Sequence, residues 1–270
     1  MECILKDFDI KQIAESGQCF RWNNVGDEYV GVVGENVCRV SQNGDVVNFT
    51  GVDEETFCEY FDIKRDYGKI KDFYAEDKIM AKAIKYGEGI RILKQDKFET
   101  LISFIISANN NIPRIKKSVE AISQKYGKNI GGDYYSFPTP TELSRATEEE
   151  LKACGVGFRA RYICETCKKV LKEVDLAKIS ELTSDECKKE LMKFTGVGPK
   201  VADCVMLFSM QKTEAFPVDV WIKRIMEELY IGKSVSIKEV ERFSKNKFGP
   251  YAGIAQQYLF FYAREQLKNK

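Results

Sequence analysis

Two residues have types and surroundings that could do chemistry. Lys200 lies in Phe194-Thr195-Gly196-Val197-Gly198-Pro199-Lys200-Val201-Ala202-Asp203-Cys204, and Asp219 lies in Pro217-Val218-Asp219-Val220. A Gly-Val-Gly turn opening a helix leaves several backbone N–H groups unpaired at a positive dipole end, a good seat for a phosphate. Gly196 and Gly198 permit the tight turn, and Pro199 suits the first helical position, where no N–H is needed. A lysine one residue into that helix faces the phosphodiester as a potential nucleophile, with the Asp219 carboxylate at the start of the next helix. The same pair also reads as a phosphate-binding lysine and a helix N-cap.

The chain has no histidine among its 270 residues, which excludes Ser-His-Asp and Cys-His catalysis and every His-ligated zinc site. Acid–base or nucleophilic work falls to Lys, Asp, Glu, Cys or Tyr. Nine scattered cysteines point to reduced intracellular thiols rather than a disulfide framework. Cys164-x-x-Cys167 has no second pair at zinc-like spacing and lies inside a helical pattern, so a structural role is expected. The N-terminus lacks a basic region followed by an apolar core, and no apolar run reaches membrane-spanning length; a cytoplasmic or nuclear protein is expected. The net charge of +1 conceals an asymmetry: residues 1–100 carry 14 Lys and Arg against 20 Asp and Glu, and residues 101–270 carry 28 against 21. The basic part fits a polyanionic partner, or a solvated helical surface.

The elements that position these residues divide into two kinds. Tyr29–Val33, Val37–Val40 and Val46–Phe49 are β-favouring runs separated by hairpin turns, with Cys19–Trp22 an earlier strand. Helical spacing begins near Asp53 and dominates after Asp77, and from Phe98 nearly everything is helix, through Ile112–Tyr126, Arg159–Val174, Ser184–Phe194, Pro199–Met210, Asp219–Tyr230, Ser236–Phe248 and Gly249–Lys268. Thr147-Glu148-Glu149-Glu150 has the form of a capping box. Gly155-Val156-Gly157 echoes Gly196-Val197-Gly198, each after a short helix and before a long one. The fold class expected is α+β: an antiparallel β domain over 1–95, then a helical region over 96–270, whose two lobes and helix-hairpin-helix motif are what the family resemblance below implies. No heptad or exposed apolar stripe argues for self-association, so a monomer is expected.

The run Gly196–Cys204 with Pro217–Val220 resembles the helix-hairpin-helix DNA glycosylases, in their 8-oxoguanine DNA glycosylase/AP lyase branch. Further segments follow in the family's order: Gly17-Gln18-Cys19-Phe20-Arg21-Trp22, Asn109-Asn110-Asn111-Ile112, Gly155–Tyr162, and Gly249-Pro250-Tyr251-Ala252-Gly253 with Ala255-Gln256. The resemblance implies excision of 8-oxoguanine from duplex DNA after extrusion of the nucleotide. Lys200 would form a Schiff base with the sugar and permit β-elimination, and Asp219 would stabilise the developing positive charge. Guanine accepts at N7 where 8-oxoguanine donates, so one backbone carbonyl, here that of Gly17, distinguishes them. Phe260 and Cys204 would sandwich the base and Gln256 would read its Watson–Crick edge. Asn109 would fill the vacated space, Arg114 and Arg159 would bind the orphaned cytosine, and Phe158 would wedge into the stack.

Plainer roles stand beside these: a turn glycine at Gly17, core aromatics at Phe158 and Phe260, a helix C-cap in the asparagine run, and generic phosphate contacts for the arginines. The chain departs from the animal members at Phe158 (a tyrosine there), Trp221 (a histidine near the lesion's phosphate) and Cys19 (a serine). No cysteine follows Cys204, so the C-terminal iron–sulfur loop of endonuclease III relatives is absent. The resemblance allows a cation on backbone carbonyls at the hairpin, and otherwise no cofactor. Two other functions fit part of the pattern: an alkylated-base glycosylase, which usually lacks the lysine, and a non-catalytic helix-hairpin-helix DNA-binding module.

Overall fold

The computed structural model describes residues 1–267. A five-stranded antiparallel sheet forms from β1 (Glu2–Ile4), β2 (Asn23–Val25), β3 (Glu28–Val33), β4 (Asn36–Asn43) and β5 (Val46–Thr50), in the order β1-β5-β4-β3-β2. Alternation in β4 and β5 sends Cys38, Val40, Val47 and Phe49 to one face, where α1 (Ile10–Glu15) and α2 (Glu54–Tyr60) cover them. The sheet's core closes with Phe57 stacked on Phe49 at 3.9 Å and with Phe8, Trp22 and Phe61.

The segment Cys19–Trp22 does not form the expected strand. Its side chains fix it instead. Gln18 donates to Ser16 Oγ (2.9 Å) and the Arg91 carbonyl (2.8 Å), and accepts from Leu93 N (2.8 Å). The Trp22 indole donates to Tyr60 Oη, and its ring lies so close to Gly31 that a Cβ there would meet it at 2.3 Å. These bonds hold residues 18–22 between the sheet and the helical region, where a ladder partner has no room. The first strand, β1, carries too short a run to be legible.

The helices α3 (Tyr67–Phe73) and α4 (Lys78–Tyr86) pack into the helical core rather than onto the sheet. Then follow α5 (Lys97–Ser107), α6 (Ile112–Tyr126), α7 (Pro140–Leu143), α8 (Glu148–Ala153), α9 (Ala160–Lys172), α10 (Leu176–Glu181), α11 (Ser184–Leu191), α12 (Pro199–Ser209), α13 (Val220–Met226), α14 (Ile237–Phe248) and α15 (Ala252–Leu267). A two-stranded ribbon, β6 (Asn129–Gly131) and β7 (Tyr134–Tyr135), interrupts them. The expected capping box at Thr147 forms, and Thr139, Thr183 and Ser236 make three more. Helix α13 stops at Met226 in a wider turn closed by left-handed Gly232. The last expected helix reached Lys268, which lies outside the described residues. Two helices are buried almost all round: α5 from Phe98 to Ile106 and α12 from Val201 to Ser209. They pack on each other at the molecule's centre, so side chains at their ends are held by the stiffest part of the fold.

Candidate active site

Pro199 starts α12 with Gly198 as an N-cap that offers no side chain, and the backbone of the turn stays exposed at Gly196, Gly198 and Pro199. Val197 is buried and anchors the turn. Lys200, in the first turn of α12, is half-buried. Its Nζ lies 3.4 Å from Ser107 Oγ, at the end of α5, and 5.0 Å from the centre of the Phe104 ring. Among the described residues no carboxylate lies within 4.0 Å of it. A half-buried lysine against an aromatic face and a neutral hydroxyl, with no counter-ion, is available to an incoming electrophile.

Cys204 follows one turn later on the same face, fully buried. Burial pushes its thiol up to about 11, the nearby Lys200 cation opposing and the Asp219 carboxylate adding to the rise. The thiol therefore stays protonated and acts as an apolar wall beside the amine. Its sensitivity to both charges places Lys200, Cys204 and Asp219 in one cluster. Asp219 is the N-cap of α13: Oδ1 accepts from Ile222 N at 2.8 Å, and Oδ2 has no partner among the described residues. The cap and the free oxygen coexist, because one carboxylate carries two.

Gly17, at φ +82°, lies under the edge of Phe260, where a Cβ would meet the ring at 3.3 Å. The φ favours glycine here, and a Cβ would need the ring to shift by a few tenths of an ångström. Gln256 sits one turn before Phe260 on α15. It is 5% exposed, and its Oε1 has no partner. A buried amide oxygen without a donor is costly unless a ligand supplies one. Its neighbour Gln257 is satisfied, donating to the Ser16 carbonyl beside Gly17.

A second group borders this cluster. Asn109 is exposed and left-handed (φ +51°), and Asn110 bonds back to the Ile106 carbonyl. Asn111 accepts from Arg114 N as the N-cap of α6, so it opens the next helix rather than ending the last. Arg159, buried, donates to the carbonyls of Ala108, Asn109 and Val156 and holds the asparagine turn in place. Its guanidinium is lowered from its usual range by burial and then by the nearby Arg114 cation. Arg114 is exposed with no side-chain partner among the described residues. Phe158 is 57% exposed, its ring over the Arg159 guanidinium at 4.4 Å. Trp221 and Val220 are also exposed, just after Asp219.

Residues 1–101 match the family model for the 8-oxoguanine DNA glycosylase N-terminal domain, and residues 102–250 match that of HhH-GPD superfamily base excision DNA repair proteins. The chain belongs to this superfamily. A probable N-glycosylase/DNA lyase of Methanothermobacter thermautotrophicus is 33% identical, over 96% of this chain and 94% of that protein. The N-glycosylase/DNA lyase of Saccharomyces cerevisiae is 32% identical, over 93% of this chain and 82% of its own. A crystal structure of Clostridium acetobutylicum 8-oxoguanine glycosylase/lyase with double-stranded DNA containing cytosine opposite 8-oxoG superposes with a TM-score of 0.94 at 48% identity, covering 97% of this chain and 93% of that one.

In this HhH-GPD chain the hairpin is α11, the Gly196–Gly198 turn and α12. Among the described residues no cluster of three or more Cys, Asp or Glu could hold a metal, and no helix is long and apolar enough to cross a membrane. A groove of about 700 Å³ lies elsewhere, between the Val170–Ala177 stretch and Asp96–Phe98, and contains none of the residues above. Sequence reasoning missed Phe104 and Ser107 under the lysine. They belong to a helix 93 residues away, and nothing local marks them.

Proposed function

We propose that the protein is a bifunctional DNA glycosylase/AP lyase that removes 8-oxoguanine opposite cytosine from duplex DNA, in base excision repair. The observation that carries this is the Lys200 amine without a counter-ion, clustered with Asp219 and Cys204. Lys200 Nζ attacks C1′ as the glycosidic bond breaks, and the proton that the amine gives up passes to the departing base. The free Asp219 oxygen supports the positive charge that develops on the sugar. Ring opening then gives the Schiff base. Loss of a C2′ proton expels the 3′ phosphate by β-elimination, and hydrolysis releases the enzyme.

The unpaired Gln256 oxygen, the Gly17 backbone and Phe260 supply the polar and stacking contacts for the extruded base, with Cys204 as the opposite wall. The hairpin N–H groups hold the phosphate, with Trp221 at its rim. Arg114 and Arg159, two cations brought together, suit a base rich in acceptors, and cytosine presents O2 and N3. Phe158 enters the stack, and Asn109 fills the gap. The exposed backbone at Gly196 and Gly198 fits a hard cation on carbonyl oxygens, which would add positive charge next to the phosphate.

A labelled duplex carrying 8-oxoguanine opposite cytosine, incubated with protein and then borohydride, gives a covalent adduct. Lys200→Gln abolishes the adduct while DNA binding stays within about threefold, since the hairpin N–H groups that hold the phosphate are untouched. An adduct that persists in Lys200→Gln puts the nucleophile elsewhere. A wild-type protein that binds without ever giving an adduct is a monofunctional glycosylase or a binding module.

A further inference from the structure

The two Gly-Val-Gly turns share more than a sequence pattern. In each the valine is buried and both glycines are exposed, and the first glycine is left-handed: Gly155 at φ +84° and Gly196 at φ +82°. One turn carries Phe158 and the other presents Lys200, and the ring of Tyr162 lies between them. It packs edge-on to Phe158, centroids 5.9 Å apart at 81°. It also lies on the bare α-carbon of Gly196, where a Cβ would meet Cδ2 at 2.4 Å and Cγ at 2.9 Å.

We infer that Tyr162 is a positioning residue, a brace that sets the spacing between the residue entering the DNA stack and the turn gripping the lesion's phosphate. This deepens the glycosylase reading and rests on it, since it takes Phe158 as the wedge. Helix α9 holds the second turn at another point too, because Lys169 donates to the Lys193 carbonyl at 2.8 Å. That tie does not touch the wedge; the Tyr162 ring touches both turns. Extrusion needs the stack opened on one side while the phosphate is pulled on the other, so an error in their separation falls on this step. Schiff-base formation at a sugar already without its base needs only the second turn.

The test is a single-turnover reaction on duplex with 8-oxoguanine opposite cytosine and 2-aminopurine beside it, reading unstacking by fluorescence and base release by cleavage. A parallel arm reads the borohydride adduct on a pre-formed abasic site. Tyr162→Leu is expected to slow both unstacking and base release by about tenfold or more, in line with the cost of small misplacements. Its abasic-site adduct should stay within about twofold of wild type, because only extrusion is impaired. Tyr162→Phe keeps the ring and should rescue all three readouts. Lys169→Ala cuts the tie to Lys193, one of those from α9 that bypass the wedge, and should leave unstacking unchanged. Tyr162→Met removes the ring but keeps a long apolar side chain, so it gives the same split if Tyr162→Leu does not fold.

Wild-type unstacking in Tyr162→Leu overturns the brace. So does an equal loss of base release and abasic adduct, which marks a general structural role. If the wild-type protein gives no Lys200-dependent adduct on either substrate, the glycosylase/lyase reading has failed, an outcome distinct from the brace failing.

Discussion

Arg114 is the residue whose surroundings most constrain its use. It is exposed and shares its neighbourhood with a buried Arg159 that is tied to three backbone carbonyls. Only Arg114 of the two has a guanidinium without a partner among the described residues, so under the proposed function discrimination at the opposite base falls mainly to it. Arg114→Ala should lower excision opposite cytosine by roughly tenfold to hundredfold, the value of one good base contact. Excision opposite adenine should change less, and stability by under about 0.5 kcal/mol, as for other exposed side chains. Single-turnover rates against the four opposite bases check this, and an equal loss against all four reduces Arg114 to a phosphate contact. Lys200 and Asp219 were legible because a rare turn and a helix start announced them. Arg159 was legible as a candidate, but its bonds to Ala108 and Asn109 were not, since they join positions about 50 residues apart.

At the scale of elements, Asp219 starts α13 and, in the proposed reaction, also faces the sugar, and two substitutions separate these duties. Asparagine caps a helix as well as aspartate does, so Asp219→Asn should keep stability within a few tenths of a kcal/mol, while Asp219→Ala costs about 1 kcal/mol. Excision should fall by roughly a hundredfold or more in both, because the charge is gone from both, a loss of the size seen when one stabilising group is removed. Denaturant titration with single-turnover kinetics checks the pair. Full activity in Asp219→Asn would leave the residue a cap and nothing more. Helices here were readable from apolar spacing and from side chains that cap, as the Thr147 box illustrates. Cys19–Trp22 misled because its residues favour strands, whereas Gln18 and Trp22 satisfy their hydrogen bonds through side chains to Tyr60, Arg91 and Leu93, 38 to 75 residues away. Asn111 misled in the same way: an asparagine closing one helix and one opening the next look alike until the backbone between them is known.

The whole molecule answers to pH through two raised carboxyls, Glu99 on α5 and Asp203 on the lysine's own helix. Burial pushes Glu99 up to about 7, Arg21 opposing and Asp96 and Glu120 adding to the rise. A carboxyl raised on folding contributes stability that is complete below its unfolded value near 4.5 and is lost as pH climbs through about 7. Asp203, raised to about 7 by burial against the Lys188 cation, acts in the same direction. Glu99→Gln should therefore match wild type near pH 4 and exceed it at pH 8 by on the order of 1–2 kcal/mol, discounted for residual solvent contact. Urea unfolding across that range measures it, and parallel profiles would mean that Glu99 ionises as freely folded as unfolded. The absence of histidine removes the commonest competing titration in this window.

By itself the sequence determined the kind of elements, the α+β order, and a lysine at a helix mouth followed by a carboxylate at a helix start. These depend on neighbours within a turn or two of chain, where periodicity, capping and glycine act directly. Only the tertiary structure decided that Ser107 and Phe104 lie beneath the amine, that Gly17 meets Phe260 and that one tyrosine ring spans two turns. Those contacts join residues tens to hundreds of positions apart, and their geometry exists only once α5 and α12 have packed together.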